Sequence, residues 1–377
     1  MTSTRQRRRR RAIGTTAALV LVTLGIAALL RISDPHAIDR TEIVGSSSVE
    51  NARVAATDFL STYLQDDGRV ARVDQGGDTV SEGQAYALLL AAGIGDRARF
   101  DRAWTWTREH LQRGDGLLAW HWQNGEVVDD KPATDADLDA TRALLVAADR
   151  FDEPHYRREA LRIADTILAR ETVEVRGRAV LVAGPWARMK APFVVNPSYF
   201  SPRSFIMLAR ATGDDRWIEL ADTSREIVAK LTQRAELVPD WTVVTKSNEV
   251  YATSAPGVQG SPTYSYDAQR TYIRFAEDCD PRGRQLAGTA WDFAQRERLD
   301  TIEPTYTLQG DPAGDGESAS GVVALAAVAS GSGQDVTVDD LLARADAVDG
   351  RHPTYYGSAW IALGRMTLTT SLLGDCL

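Results

Sequence analysis

Residues 81–92 read SEGQAYALLLAA. A short polar opening, Ser81-Glu82-Gly83-Gln84, passes directly into the apolar run Ala85 to Ala92. The stretch reads as a helix with one carboxylate in its first turn and a body suited to a protein interior. The same arrangement recurs down the chain. Ala133-Thr134-Asp135-Ala136-Asp137 opens one helical pattern, and Asn196-Pro197-Ser198-Tyr199-Phe200-Ser201-Pro202 opens another. Tyr264-Ser265-Tyr266-Asp267, Glu317-Ser318 and Pro353-Thr354-Tyr355-Tyr356 open three more.

Further helical patterns start near Val49, Arg97, His155, Asp214, Pro281 and Val336 and alternate with these six. Apolar positions three and four apart therefore predict an all-α domain of about twelve helices. Ala140 to Ala148 and Gly321 to Ala329 are alanine-rich and suit close helix packing. Ala179 to Ala183 and Leu237 to Thr245 read as short β-ribbons at a rim. Twelve helices make six hairpins, and the compact closure of six hairpins is a double ring with alternate helices inside. If the even-numbered helices form the inner ring, they run parallel and their starts meet at one end. Glu82, Asp135 and Asp267 would converge there.

Taken singly, each acid has a plain structural explanation. Asp and Ser are favoured helix caps, and first-turn acids suit the helix dipole. Taken together they divide into roles. Glu82 stands between small residues ahead of an apolar run, where burial would raise its pKa and keep it protonated, as a general acid requires. Asp267 has Arg270 three residues on, within reach on one helical face. A cation there favours the charged form that a general base requires. One neutral and one charged carboxyl is the pattern of glycoside hydrolysis. Trp120 and Trp122, two apart in Leu-Ala-Trp-His-Trp, would present rings on one face of an extended segment and suit a sugar surface. Trp104 and Trp106, inside a helix, are expected in the core. Gln84 and Asp137, in the same first turns as the acids, are further candidates for substrate contact.

Other chemistries lack their signatures. With five His there is no HExxH, and neither a GxSxG elbow nor a P-loop is present. Gly93-Ile94-Gly95 lacks the preceding strand and third glycine of a dinucleotide site. Asp135, Asp137 and Asp139 depart from the EF-hand pattern at Ala140, where glycine is required. No metal or organic cofactor is expected.

The amino terminus differs from the rest. Arg5 and Arg7 to Arg11 precede an uncharged stretch, Ala12 to Leu30, closed by Arg31. As a helix it would be roughly 28 Å long, close to a bilayer core of about 30 Å. This predicts an uncleaved membrane anchor over residues 1–31, in preference to a cleaved signal peptide, with the arginines cytoplasmic. Residues 32–48 read as a linker and 49–377 as one catalytic domain facing outward from the cell membrane. Residues 1–31 hold seven Arg and no acid, so without them the formal charge falls from −9 to −16. That surface repels nucleic acid and favours a neutral or cationic polymer. Cys279 and Cys376 form no metal-binding pattern; a disulfide and two core thiols are both open.

At these residues the sequence resembles glycoside hydrolase family 8, from about residue 50 onward. The resemblance rests on "SEGQAYALLLA" from Ser81, "DGLLAWHW" from Asp115, "ATDADLDA" from Ala133, "NPSYFSP" from Asn196 and "YSYDAQR" from Tyr264, in family order. It implies an (α/α)6 barrel, with Glu82 as general acid and Asp267 as general base. It also implies that Asp135 binds the distorted sugar, that Tyr199 positions the attacking water, and that Arg270 flanks the base. Ala140 and Thr141 depart from the family pattern, and Ala85 and Ala87 stand where glycine is frequent. By the same resemblance, Asp267 favours the β-1,4-glucanase group over the chitosanase-like members. The expected function is endo-acting, inverting hydrolysis of a β-1,4-glucan by a monomer, trimming an exopolysaccharide beside a membrane synthase. Xylan, mixed-linkage glucan and chitosan are alternative substrates, and a non-catalytic glycan-binding partner of a synthase is the alternative of a different class.

Overall fold

The structure, a computed structural model, describes residues 40–297 and 302–376. Contacts divide the chain at Ser46/Ser47. Of the first unit only the opening of helix α1, Arg40–Tyr63, lies among the described residues.

The second unit is built almost wholly of helices. After α1 come α2 (Ser81–Ile94), α3 (Arg97–His110), α4 (Thr134–Phe151) and α5 (Pro154–Arg170). Next are α6 (Pro202–Thr212), α7 (Arg216–Thr232), α8 (Tyr266–Ala276), α9 (Pro281–Ala287) and α10 (Trp291–Arg296). The last three are α11 (Ala319–Gly331), α12 (Asp335–Asp349) and α13 (Tyr355–Thr369). One expected helix, starting near Pro281, is thus split into α9 and α10 by a 3-10 turn over Gly288–Ala290. The break falls where Gly288 meets α11: a Cβ on Gly331 would lie 2.5 Å from the Gly288 nitrogen.

The six helices with polar openings form the inner ring. α2 touches α4, α4 touches α6, α6 touches α8, α8 touches α11, α11 touches α13, and α13 closes back on α2. The intervening helices α3, α5, α7, α9 and α12 pack outside on their partners. α2 and α11 are buried over nearly their whole length, which matches their apolar bodies.

Ion pairs establish that two inner helices, α4 and α8, run parallel. Arg270 meets Asp135, Arg274 meets Asp139, and Glu277 meets Arg142, each pair 135 residues apart. A constant offset requires α4 and α8 to run in the same direction; in an antiparallel pair it would change along the helices. The pairs form a buried ladder through the barrel interior, joining two helices that are not neighbours in the ring. Arg274 and Arg142 hold their carboxylates with two hydrogen bonds each, between 2.7 and 2.8 Å.

Short strands deliver the chain to the acid-bearing end. β1 (Thr79–Val80) leads into α2 and pairs with β2 (His121–Gln123), which pairs with β3 (Glu126–Asp129). β4 (Thr172–Val175) and β5 (Arg178–Leu181) form a ribbon. β6 (Phe193–Val195), β7 (Trp241–Val244) and β8 (Val250–Thr253) form a sheet. β9 (Thr263–Tyr264), paired with β10 (Tyr306–Thr307), leads into α8. At the carboxyl-terminal end, Cys279 and Cys376 are joined in a disulfide, with Cα atoms 5.3 Å apart. This settles the alternative the sequence left open.

The expectation of a single-pass membrane protein does not stand. No helix among the described residues is long and apolar enough to cross a membrane. The segment on which that expectation rested, Ala12 to Leu30, lies outside the described residues.

Candidate active site

The three acids are not helix caps. Neither α2, α4 nor α8 has a side-chain cap of its own, whereas Ser318 and Thr354 cap α11 and α13 in the ordinary way. The start of α2 is held by the backbone, Ser81 N–H donating to the Trp120 carbonyl at 2.9 Å. At α4, Thr134 Oγ1 donates to the Val182 carbonyl at 2.8 Å. At α8 a carboxylate from elsewhere, Asp240, accepts from Ala268 N–H at 2.9 Å. The first-turn acids are thereby free to face the end of the barrel.

There they meet one cation. Arg270 Nη1 donates to Glu82 Oε2 at 2.9 Å and to Asp135 Oδ2 at 2.7 Å, and Nη2 donates to Asp267 Oδ1 at 2.6 Å. Arg270 is 1% exposed and Asp135 3%, while Glu82 and Asp267 keep 23% and 31%. Two partly exposed carboxyls thus reach solvent beside the two terminal nitrogens of one buried guanidinium. The path through Arg270 limits the separation of their bonded oxygens to at most about 8 Å, which is not beyond the roughly 6.5–9.5 Å window of an inverting acid and base.

The environments of the acids differ. Burial raises Glu82 from 4.5 to about 7, against the opposing pull of Arg270 and with help from the charges of Asp135 and Asp267. The Tyr86 hydroxyl bonds the Glu82 carboxyl and is itself reached by Arg270 Nη1 at 3.1 Å and Trp360 Nε1 at 3.2 Å. Asp135 is also pushed upward, by burial first, with Arg270 opposing. Asp267 accepts hydrogen bonds on both oxygens, from Arg270 and from Asn196 Nδ2 at 2.9 Å.

Tyr199 follows Asn196 in the turn Pro197–Tyr199, and its ring lies against Arg270, whose guanidinium carbon is 5.5 Å from the ring centre. Trp241 packs edge-on to that ring at 6.2 Å. On the other side, half-exposed Tyr266 stands edge-on to Tyr356 at 5.7 Å, and the Tyr356 hydroxyl donates to the Tyr266 carbonyl at 2.8 Å.

The remaining sequence candidates are placed differently. Trp120 and Trp122 do not share one surface, because a register shift between His121 and Trp122 breaks the alternation of the ribbon. Trp120 stays exposed, stacked on His121 at 4.7 Å, beside the start of α2. Trp122 packs against the core residue Trp106 at 5.4 Å, under Arg69. Trp104 and Trp106 are buried, as expected. Gln84 is buried away from the acids and ties loop to helix, with Nε2 donating to Gly68 O at 3.1 Å and Thr107 Oγ1 at 2.8 Å. Asp137 is buried too, and its Oδ1 accepts from Leu118 N–H at 2.8 Å. Both sit on the packed side of their helices, each two residues from the acid that faces the cleft.

Asn196, Tyr86, Tyr356 and Asp240 were not singled out from the sequence. Asn196 opens a motif that had been noticed, and Tyr86 stands one helical turn after Glu82. Asp240 has a weaker signal, a lone carboxylate inside the expected ribbon Leu237 to Thr245.

Comparison with known proteins accords with this geometry. The family profile described as glycosyl hydrolases family 8 matches residues 43–370. A probable endoglucanase of Novacetimonas hansenii is 35% identical over 225 residues, 58% of this chain and 64% of that protein. Endoglucanase A of Acetivibrio thermocellus is 34% identical over 306 residues, 77% of this chain and 61% of that protein. The matches thus span somewhat under two thirds of the length of these curated relatives. Among solved structures, the endo-β-1,4-glucanase CMCax of Acetobacter xylinum superposes with a TM-score of 0.71 at 26% identity, over 84% of this chain and 97% of that one.

Proposed function

The chain belongs to glycosyl hydrolases family 8, and from that premise we propose that it is an endo-acting, inverting β-1,4-glucanase with Glu82 as acid and Asp267 as base. The observation that carries the reading is Arg270, which holds both carboxyls about one guanidinium apart while burial keeps Glu82 protonated up to about pH 7. In the reaction, the Glu82 proton passes to the glycosidic oxygen as the bond from that oxygen to the anomeric carbon breaks. A water attacks the same carbon from the opposite face and gives its proton to Asp267. Two neutral sugar ends result, and the new hydroxyl has the inverted configuration.

The other groups serve that step. Tyr199, whose ring is fixed between Arg270 and Trp241, directs the water with its hydroxyl. Asp135 takes hydroxyls of the distorted sugar and fixes Arg270 Nη1. Tyr266 and Trp120 supply exposed ring surface along the cleft, with Tyr356 packed edge-on to Tyr266. A β-glucan is the substrate this chemistry supports. The expected exopolysaccharide-trimming role beside a membrane synthase rested on the anchor and loses that support.

The test is release of reducing ends from cellulose, mixed-linkage glucan, xylan and chitosan by the unaltered protein and by Glu82→Gln. The reading expects cleavage of β-1,4-glucan in preference to the other polymers, and loss of at least 100-fold in the variant, the scale of general acid catalysis (about 10²–10⁴). Preference for xylan or chitosan would reassign the substrate. Binding of glucan without cleavage would replace the enzyme with a glycan-binding protein.

A further inference from the structure

Asp240 is almost fully buried, at 7% exposure, and every hydrogen bond its carboxylate makes goes to the start of the helix that bears Asp267 or to β9 leading into it. Oδ1 accepts from Ser265 N–H and Ala268 N–H, both at 2.9 Å. Oδ2 accepts from Ser265 Oγ at 2.8 Å and Thr263 Oγ1 at 3.0 Å. Ser265 occupies the N-cap position of α8 but gives its hydroxyl proton to Asp240, so the cap comes from the residue that precedes β7. Asp240 spans both sides of Asp267, from Thr263 and Ser265 before it to Ala268 after it.

The same sheet grips the base from the front. Val195 pairs with Thr242, which brings Asn196 and Asp240 to one end of the β6–β7 pair. Asn196 holds the Asp267 carboxylate itself, and Trp241, next to Asp240, supports Tyr199. A carboxylate buried for capping alone is an expensive choice where Ser265 stands ready to cap α8 unaided.

We propose that Asp240 is a positioning residue for the base: it fixes the first turn of α8 so that Asp267 meets the attacking water. The proposal rests on Asp267 being the base. The effect is expected on the chemical step, because a displacement of about 1 Å in a reacting group can cost 10²-fold in rate.

The experiment is a double-mutant cycle on the full chain with β-cellobiosyl fluoride, whose fluoride leaves without a proton so that turnover reports the base side. Kinetics are measured for the unaltered protein, Asp240→Asn, Asp267→Asn and the double variant, with thermal unfolding of each. Asp240→Asn is expected to lower kcat about 10- to 100-fold with KM within twofold, and the double variant is expected to equal Asp267→Asn. If the two losses multiply, or if Asp240→Asn changes KM and not kcat, Asp240 is structural and the proposal is overturned. If Asp267→Asn is as active as the unaltered protein, the base assignment itself falls, and the proposal with it. Should Asp240→Asn fail to fold, Ser265→Ala removes one of the four bonds; a fall in kcat at constant KM supports the proposal, and no change overturns it.

Discussion

Glu82 accepts a hydrogen bond from Arg270 at 2.9 Å and is nonetheless raised to about 7, so burial outweighs a cation in direct contact. A general acid is active while protonated. The basic limb of the rate profile should therefore fall with a midpoint near pH 7. Asp135→Asn removes a neighbouring negative charge and should move that midpoint downward. The pH dependence of kcat on a soluble cello-oligosaccharide measures both.

The same shift bears on stability. Because the folded pKa of Glu82 lies above its ordinary value of 4.5, the folded state resists ionisation that the unfolded chain accepts. The penalty is absent below pH 4.5, grows as pH rises and is complete above about 7. Glu82→Gln should accordingly unfold like the parent in acid and be more stable at pH 8, by up to about 3 kcal/mol. Urea unfolding at the two pH values reads the difference.

Arg270 joins three carboxyls with two nitrogens, and a lysine offers a single point of charge. Arg270→Lys should retain the fold and lose about 10²-fold or more in kcat. Arg270→Ala leaves buried carboxylates uncompensated and should cost about 3–5 kcal/mol of stability. Steady-state kinetics and thermal melts separate the two effects.

Gly83, next to the acid, has no room for a side chain. A Cβ there would lie 2.5 Å from the Tyr355 hydroxyl and 3.1 Å from its ring. Tyr355 is itself wedged against Phe59 and Tyr63, with ring centres about 6 Å apart. Gly83→Ala should destabilise by about 1–3 kcal/mol and lower activity by shifting α2 against α13, measured by thermal unfolding and kcat.

The Cys279–Cys376 disulfide closes a loop of 97 residues at the far end of the ladder from Arg270. A loop of that size corresponds to about 4–5 kcal/mol in the chain-entropy model. Cys279→Ser with Cys376→Ser should lower the melting temperature while leaving kcat near its parent value, since neither residue touches the acids.

Much of this was legible before the structure. The helix pattern and the polar openings identified the inner ring, and with it the convergence of Glu82, Asp135 and Asp267, because helical periodicity is local and survives in a single sequence. The split after Ala287 was not legible, since it depends on Gly331, 43 residues further along the chain, approaching Gly288. Trp122 was misplaced because a bulge between His121 and Trp122 reverses the alternation on which the reading relied. Gln84 and Asp137 share the acids' motifs but face the packed side, a distinction that depends on the helix's rotation about its own axis. Asp240 was hidden for a similar reason: its partners lie 23 to 28 residues away, and no local pattern announces them.

The central claim, that Glu82 and Asp267 act as acid and base from the two terminal nitrogens of one guanidinium, is tested most directly by the anomeric form of the first product. Early-time NMR of cello-oligosaccharide cleavage should show the newly formed reducing end appearing as the α-anomer and only later equilibrating. Initial appearance of the β-anomer would mean retention, and would contradict the assignment of acid and base to these two carboxyls.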